Sequence, residues 1–364
     1  MKRLLALEGG GLRVFFTVQV LERVEQHVRA RLGRPDAVLA DYFDLIAGTS
    51  TGAILGAFLS WGLSVAEIKK LYAVAAASMF TKNSSPLRWV THRYAADALS
   101  KFLRDYFVEE RESIPAELGT SRLRTTFLAV VRNATTGSAW PLCNHSGLKF
   151  NAPALEDCNL RIPLWRIVRA SAAAPTFFEP ERIQIGKAEF QFIDGGVTPY
   201  NNPALIAALI ATEAGYGIGW PAGEDCLHLV SVGTGRTRVK YTGHGRWDLS
   251  IPVVAQKTIG ALIEGVAHQQ DLLCRVLGRC IYGPIIDTEV GDMIERGAES
   301  PLGNTPPPRR FTYVRYNCDF PEAQFAPFVA GTGAIPMDRP DLIPLFEEVG
   351  RTYAADAVQL SHLR

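Results

Sequence analysis

Phe43-Asp44-Leu45-Ile46-Ala47-Gly48-Thr49-Ser50-Thr51-Gly52-Ala53-Ile54-Leu55 sets an apolar run, a serine flanked by glycines, and a second apolar run in immediate succession. The first run reads as a buried strand over 42–47 and the second as an apolar helix over 53–61, so Gly48-x-Ser50-x-Gly52 falls on the turn between them. A sharp turn there tilts the serine hydroxyl outward, and the glycines avoid clashes with neighbouring backbone. The helix that follows directs its partial positive charge at the reacting centre. The pentapeptide alone also fits an ordinary strand-to-helix turn; its place between these two runs favours a nucleophile.

The same strand–turn–helix order occurs upstream. Leu4 to Leu7 reads as a short buried strand, Gly9-Gly10-Gly11-Leu12-Arg13 follows, and Val20, Leu21, Val24, Val28 and Leu32 repeat at helical spacing over 14–32, with Gly33 as the stop. Successive glycine N–H groups can hold an oxyanion, and Arg13 adds a fixed positive charge or orders the loop through a salt bridge. A phosphate cradle is the competing use, but the spacing is not G-x-G-x-x-G and no Gly-Lys-Ser/Thr follows. Strand, turn and helix in repetition predict an α/β protein of three layers, a mainly parallel central sheet flanked by helices.

Further strands are expected over 125–132, 190–193, 227–232 and 311–317. Helices are expected over 164–174, over 251–277, and at the end, where Leu342, Leu345, Phe346, Val349 and Tyr353 share a face. Asp194-Gly195-Gly196 follows one of these strands. A carboxylate there can accept the Ser50 proton, although an aspartate with its ordinary pKa near 4 works by proximity and partial desolvation more than by basicity. An Asp-Gly turn is the plainer reading of that tripeptide. His228, His244, His268 and His362 all follow Asp194, which leaves a Ser-Asp-His order formally open.

Met79, Phe80, Leu87, Trp89 and Val90 interleave with Lys82, Arg88 and Arg93, which suits either a loop dipping into a lipid surface or a partly buried loop. Arg236-Thr237-Arg238-Val239-Lys240 suits an anionic effector or a solvated strand edge. A boundary near residue 240 is expected to divide a catalytic core, 1–240, from a C-terminal cap or regulatory part, 241–364, packed on it.

With 38 basic and 37 acidic residues the 364-residue chain carries a formal charge of +1, so bulk electrostatics give no reason to expect nucleic-acid binding. The apolar run after Met1-Lys2-Arg3 ends at Glu8, too short for a secretory signal, and no run is long enough to span a bilayer. Six cysteines without a C-x-x-C pair read as reduced thiols of a cytoplasmic protein, and no zinc or other metal site is expected.

Taken together, four blocks resemble the patatin-like phospholipase family. They are Glu8-Gly9-Gly10-Gly11-Leu12-Arg13, where many relatives begin with Asp; Gly48-Thr49-Ser50-Thr51-Gly52; Ala170-Ser171-Ala172-Ala173-Ala174-Pro175-Thr176-Phe177-Phe178; and Asp194-Gly195-Gly196-Val197 followed by Asn201-Asn202-Pro203. The resemblance implies a dyad of Ser50 as nucleophile and Asp194 as base, without histidine. It also implies an oxyanion hole around Gly9, Gly10, Gly11 and Arg13, membrane phospholipids as substrates, and no cofactor. More finely, the chain resembles bacterial patatin-like effectors of antiphage systems. That likeness implies a cyclic di- or oligonucleotide activator and peripheral action on the inner membrane, with an oligomer possible. A Ser-Asp-His esterase of unrelated substrate and a lipid- or nucleotide-binding module without turnover are the alternatives.

Overall fold

The computed structural model describes residues 1–79, 96–109, 113–236, 251–286, 291, 308–329, 335 and 338–364. The aromatic and cationic residues from Phe80 to Arg93, the basic run after Arg236, His244, Met337 and most of the proline-rich connection before Arg309 lie outside the described residues.

In chain order the elements are β1 (Lys2–Leu7), α1 (Val14–Leu32), β2 (Leu45–Thr49), α2 (Thr51–Trp61), α3 (Val65–Met79) and α4 (Ala96–Tyr106). Then come β3 (Thr126–Asn133), β4 (Ser138–Cys143), α5 (Leu164–Ser171), β5 (Glu181–Ile185), β6 (Ala188–Asp194), α6 (Ala204–Thr212) and β7 (Leu227–Val232). The chain ends with α7 (Ile251–Leu277), β8 (Arg279–Tyr282), β9 (Thr312–Tyr316), α8 (Glu322–Val329) and α9 (Ile343–Ala357).

Nine strands among the described residues form one sheet in the order β5-β6-β3-β2-β1-β7-β9-β8, with β4 paired to β3 off this path. The run from β3 to β8 is parallel; β4, β5 and β6 pair antiparallel. Every residue of β2, β7 and β9 is buried, as expected of parallel strands covered on both faces. The period-2 alternation divides their side chains between two cores. Leu5, Leu7, Ile46, Ala129, Val230 and Val314 join one cluster, which includes residues of α1, α2, α5 and α9. Leu4, Ala6, Leu45, Ala47 and Leu229 join the other, with α6 and Cys274 of α7. Three layers follow directly.

Local signals explain the ends. Gly33, at φ 62°, caps α1 with its N–H on Ala30 O and Arg29 O. The expected strand from Tyr42 starts only at Leu45, because Tyr42 and Phe43 both bond back to Leu39 O in a helical turn. The expected helix over 164–174 stops at Ser171. Beyond residue 240, β8 and β9 extend the sheet past β7, and Phe346 of α9 shares the α1 core. The C-terminal part is thus built into the sheet of the core.

Candidate active site

The site forms where two strands meet end to end. On β3, Val130 pairs with Thr49, the last residue of β2, and Val131 pairs with Asp194, the last residue of β6. Because β4 occupies the opposite edge of β3 over Leu128–Asn133, β2 and β6 share one edge and their C-terminal ends face each other. Ser50 leaves β2 at φ 56° and ψ −128°, in the left-handed region that a non-glycine residue rarely adopts. A Cβ at Gly52 would lie 2.3 Å from Leu7 O, so the turn closes against β1 only with glycine there. Across the gap Ser50 Oγ donates to Asp194 Oδ2 at 2.6 Å, and Gly196 N–H donates to Asp194 Oδ1 at 2.6 Å.

Asp194 is 4% exposed. Burial pushes its carboxyl up to about 7, against the hydrogen bonds from Ser50 and Gly196 that favour the charged form. The sequence reading assumed an ordinary aspartate near 4. Enclosure by the surrounding strands makes it a much better base near neutral pH.

The glycine loop lies against Ser50: a Cβ at Gly9 would sit 2.8 Å from Ser50 Cβ. Gly9 N–H points to Asn201 O at 3.4 Å, while Gly10 N–H meets Thr51 Oγ1 at 3.3 Å. The Gly9 and Gly10 amides, both expected in the oxyanion hole, each have a partner at hydrogen-bond distance. Among the described residues Arg13 directs its side chain to backbone carbonyls and forms no salt bridge: Nε to Gly10 O at 3.4 Å and a terminal nitrogen to Gly235 O at 3.3 Å. Arg13 N–H adds a bond to Gly10 O at 3.2 Å. In a planar trans peptide the carbonyl and the next N–H point opposite ways, so this grip turns Gly11 N–H away from Arg13. Burial lowers the Arg13 pKa from its ordinary value, with Glu264 and Glu8 opposing.

The sequence profile of the patatin-like phospholipase family matches residues 5–208, a span that holds the glycine loop, Ser50 and Asp194. The chain belongs to that family. A cGAMP-activated phospholipase of Escherichia coli (strain TW11681) is 32% identical over 209 residues, covering 57% of this chain and 55% of that protein. A cGAMP-activated phospholipase of Vibrio cholerae serotype O1 is 28% identical over 214 residues, 56% of each. Patatin-like protein 1 of Arabidopsis thaliana is 29% identical over 261 residues, 65% of this chain and 59% of that one. The chain thus spans little more than half the length of these relatives.

Three further features of this patatin-like site were not read from the sequence. Ser171, in the proline-containing block, donates its hydroxyl to Val130 O at 2.6 Å and accepts Ser50 N–H at 2.9 Å. Asn201 returns its side-chain amide to Gly9 O at 3.3 Å. Glu8, in the position where many patatin-like proteins have Asp, pairs with Arg315 of β9 at 2.6 Å, both side chains buried. Arg315 also donates to Ser231 Oγ at 2.8 Å. Burial alone would lower the Arg315 pKa; Glu8 and neighbouring groups outweigh it and raise it. Glu8, Ser171 and Asn201 lie inside the resembling blocks, which mark their place but not their contacts; Arg315 lies outside every block and has no period or motif of its own.

No described histidine hydrogen-bonds Ser50 or Asp194. His228 pairs with Arg3 near the start of β7, at the opposite end of the sheet from Ser50, and its Nδ1 shares a hydrogen bond with Thr312 Oγ1 at 2.8 Å. Burial drives its pKa down to about 3. His362 Nδ1 meets the Tyr316 hydroxyl at 3.0 Å, and His268 lies on α7. The Asp194 carboxylate is hydrogen-bonded by Ser50 and Gly196. No disulfide joins any of the six cysteines.

Proposed function

We propose that this chain is a lipid acyl hydrolase that cleaves carboxylic esters of membrane glycerophospholipids with a Ser50–Asp194 dyad. The observation that carries this reading is the 2.6 Å bond from Ser50 Oγ to a buried carboxylate pushed up to about 7. Ser50 Oγ attacks the ester carbonyl carbon while its proton passes to Asp194, and the carbonyl oxygen becomes an oxyanion. The amides of Gly10 and Gly11 receive it, Gly10 N–H exchanging Thr51 Oγ1 for the oxyanion. Gly9 packs against Ser50, and Arg13 fixes the peptide between Gly10 and Gly11. As the oxyanion collapses, the carbon–oxygen bond to the glycerol breaks and Asp194 returns the proton to the leaving alkoxide. Water then attacks the acyl-Ser50 ester and gives a proton to Asp194. The Ser50–carbon bond breaks, Ser50 regains its proton and the fatty acid leaves. One water is consumed per ester, and no histidine takes part.

Two relatives named as cGAMP-activated phospholipases support a cyclic di- or oligonucleotide as activator; in this reading residues 241–364 carry the regulation. In this reading the enzyme acts from the cytoplasm on the inner membrane, in antiphage defence. No helix among the described residues is long and apolar enough to cross a membrane. The test is lipid analysis of phospholipid vesicles treated with wild type and Ser50→Ala, with and without a panel of cyclic di- and trinucleotides. Fatty acid release by the wild type alone is expected, enhanced by one nucleotide. Equal release by Ser50→Ala would overturn the dyad; equal rates across the panel would remove the activator.

A further inference from the structure

The facing ends of β2 and β6 leave a gap on the edge of β3, and Val130 O lies against it: a Cβ at Gly195 would sit 2.2 Å from that oxygen. The Ser171 side chain bridges it. Ser171, the last residue of α5 and wholly buried, donates to Val130 O and accepts Ser50 N–H. Two residues further on, Ala173 O accepts Asp194 N–H at 3.0 Å. Residues 171–173 therefore grip the backbone amides of both members of the dyad.

We propose that Ser171 is a positioning residue for the nucleophile: its hydroxyl holds the Ser50 amide in the left-handed turn and so keeps Ser50 Oγ aimed at Asp194. The inference rests on Ser50 being the nucleophile. A non-glycine residue at φ 56° persists only where its surroundings over-determine it, and the Ser171 hydroxyl is the group that meets its N–H. Removing that hydroxyl leaves a partly buried N–H and a buried carbonyl without this partner. The Ser50 turn then relaxes, and the alignment with Asp194 loosens. A misplacement of about 1 Å costs on the order of 10²-fold in rate.

The experiment compares wild type, Ser171→Ala, Ser171→Thr and Ser171→Cys on a soluble ester. Val168→Ala, at a buried apolar residue of α5, serves as the stability control. Ser171→Ala is expected to lower kcat about 10- to 100-fold with KM little changed. Its acid limb of kcat/KM should move upward, because the Ser50 hydrogen bond that favours the ionised carboxylate is weakened. The Ser50 amide should also exchange hydrogen faster. Ser171→Thr keeps a hydroxyl and should restore the pH limb and most of kcat; Ser171→Cys should fall between Thr and Ala. Wild-type kcat and pH limb in folded Ser171→Ala, or the same pH shift in Val168→Ala, would overturn the proposal. Where Ser171→Ala does not fold, identical pH limbs and amide exchange in the wild type, Thr and Cys proteins would do so. A fluorophosphonate probe that fails to label wild-type Ser50 would sink the nucleophile assignment, while Ser50 amide exchange would still report on the clamp.

Discussion

Glu8 at the root of the glycine loop and Arg315 on β9 form a buried ion pair, 2.6 Å apart and 307 residues apart in the chain. The pair ties the loop that lies against Ser50 to a strand from the C-terminal part. Charges this deeply buried are tolerated only when each has its partner.

Arg315→Met leaves Glu8 as an uncompensated buried charge and is expected to cost about 3–5 kcal/mol. Denaturant unfolding should show it as a lowered midpoint. Glu8→Gln with Arg315→Met together should recover much of that loss, since two neutral groups replace a stranded charge. A double mutant no more stable than Arg315→Met would refute this account of the pair.

Activity should fall on the acid side with the Asp194 carboxyl, pushed up to about 7. The ionised form is the base, so kcat/KM is expected to drop about tenfold for each pH unit below that value. Esterase rates between pH 4.5 and 9 check this. A plateau extending down to pH 5 would mean that Asp194 is not the limiting base.

Asp194→Asn should remove nearly all turnover yet stabilise the protein at high pH. The folded carboxyl titrates at about 7 and an unfolded aspartate near 4. The native state therefore holds its proton more tightly. Stability is fully present below the unfolded value and is lost as pH rises towards 7, by on the order of 4 kcal/mol. The neutral amide escapes this loss. Thermal unfolding should place Asp194→Asn above the wild type at pH 8 and level with it at pH 4; a constant offset at both values would contradict the burial effect.

Gly195→Ala places a methyl 2.2 Å from Val130 O, a backbone atom that cannot swing aside. The ends of β2 and β6 are expected to move apart, and Ser50 labelling by a fluorophosphonate should slow by at least tenfold, in line with the sensitivity of rate to about 1 Å of misplacement. Gly215→Ala, where an added Cβ meets nothing within 4 Å, should label at the wild-type rate.

Much of the fold was legible because it is encoded locally. The helical spacing of Val20, Leu21, Val24 and Val28 gives α1 its observed limits, and the apolar run 227–232 is β7 as expected. Of the antiparallel strands, β6 was expected over 190–193, whereas β4 and β5 were not. In β5, Ile183 and Ile185 alternate with exposed Arg182 and Gln184, but five residues are a weak signal and pairing with β6 decides them. Tyr42 looked like strand and is instead held in a helical turn, its hydroxyl bonded to Arg364 O.

The sequence by itself determined the strand, turn and helix around Ser50, the glycine loop and the Asp-Gly-Gly turn, because backbone preference and hydrophobic period act over a few residues. Only the tertiary structure decided what those pieces do to one another. Ser50 meets Asp194 because β2 and β6 share one edge of β3, and the carboxyl is lifted towards neutrality because the assembled strands exclude water from it. Ser171 and Arg315 enter for the same reason: burial and pairing depend on which distant segments come to lie together, and no short stretch of chain contains that information.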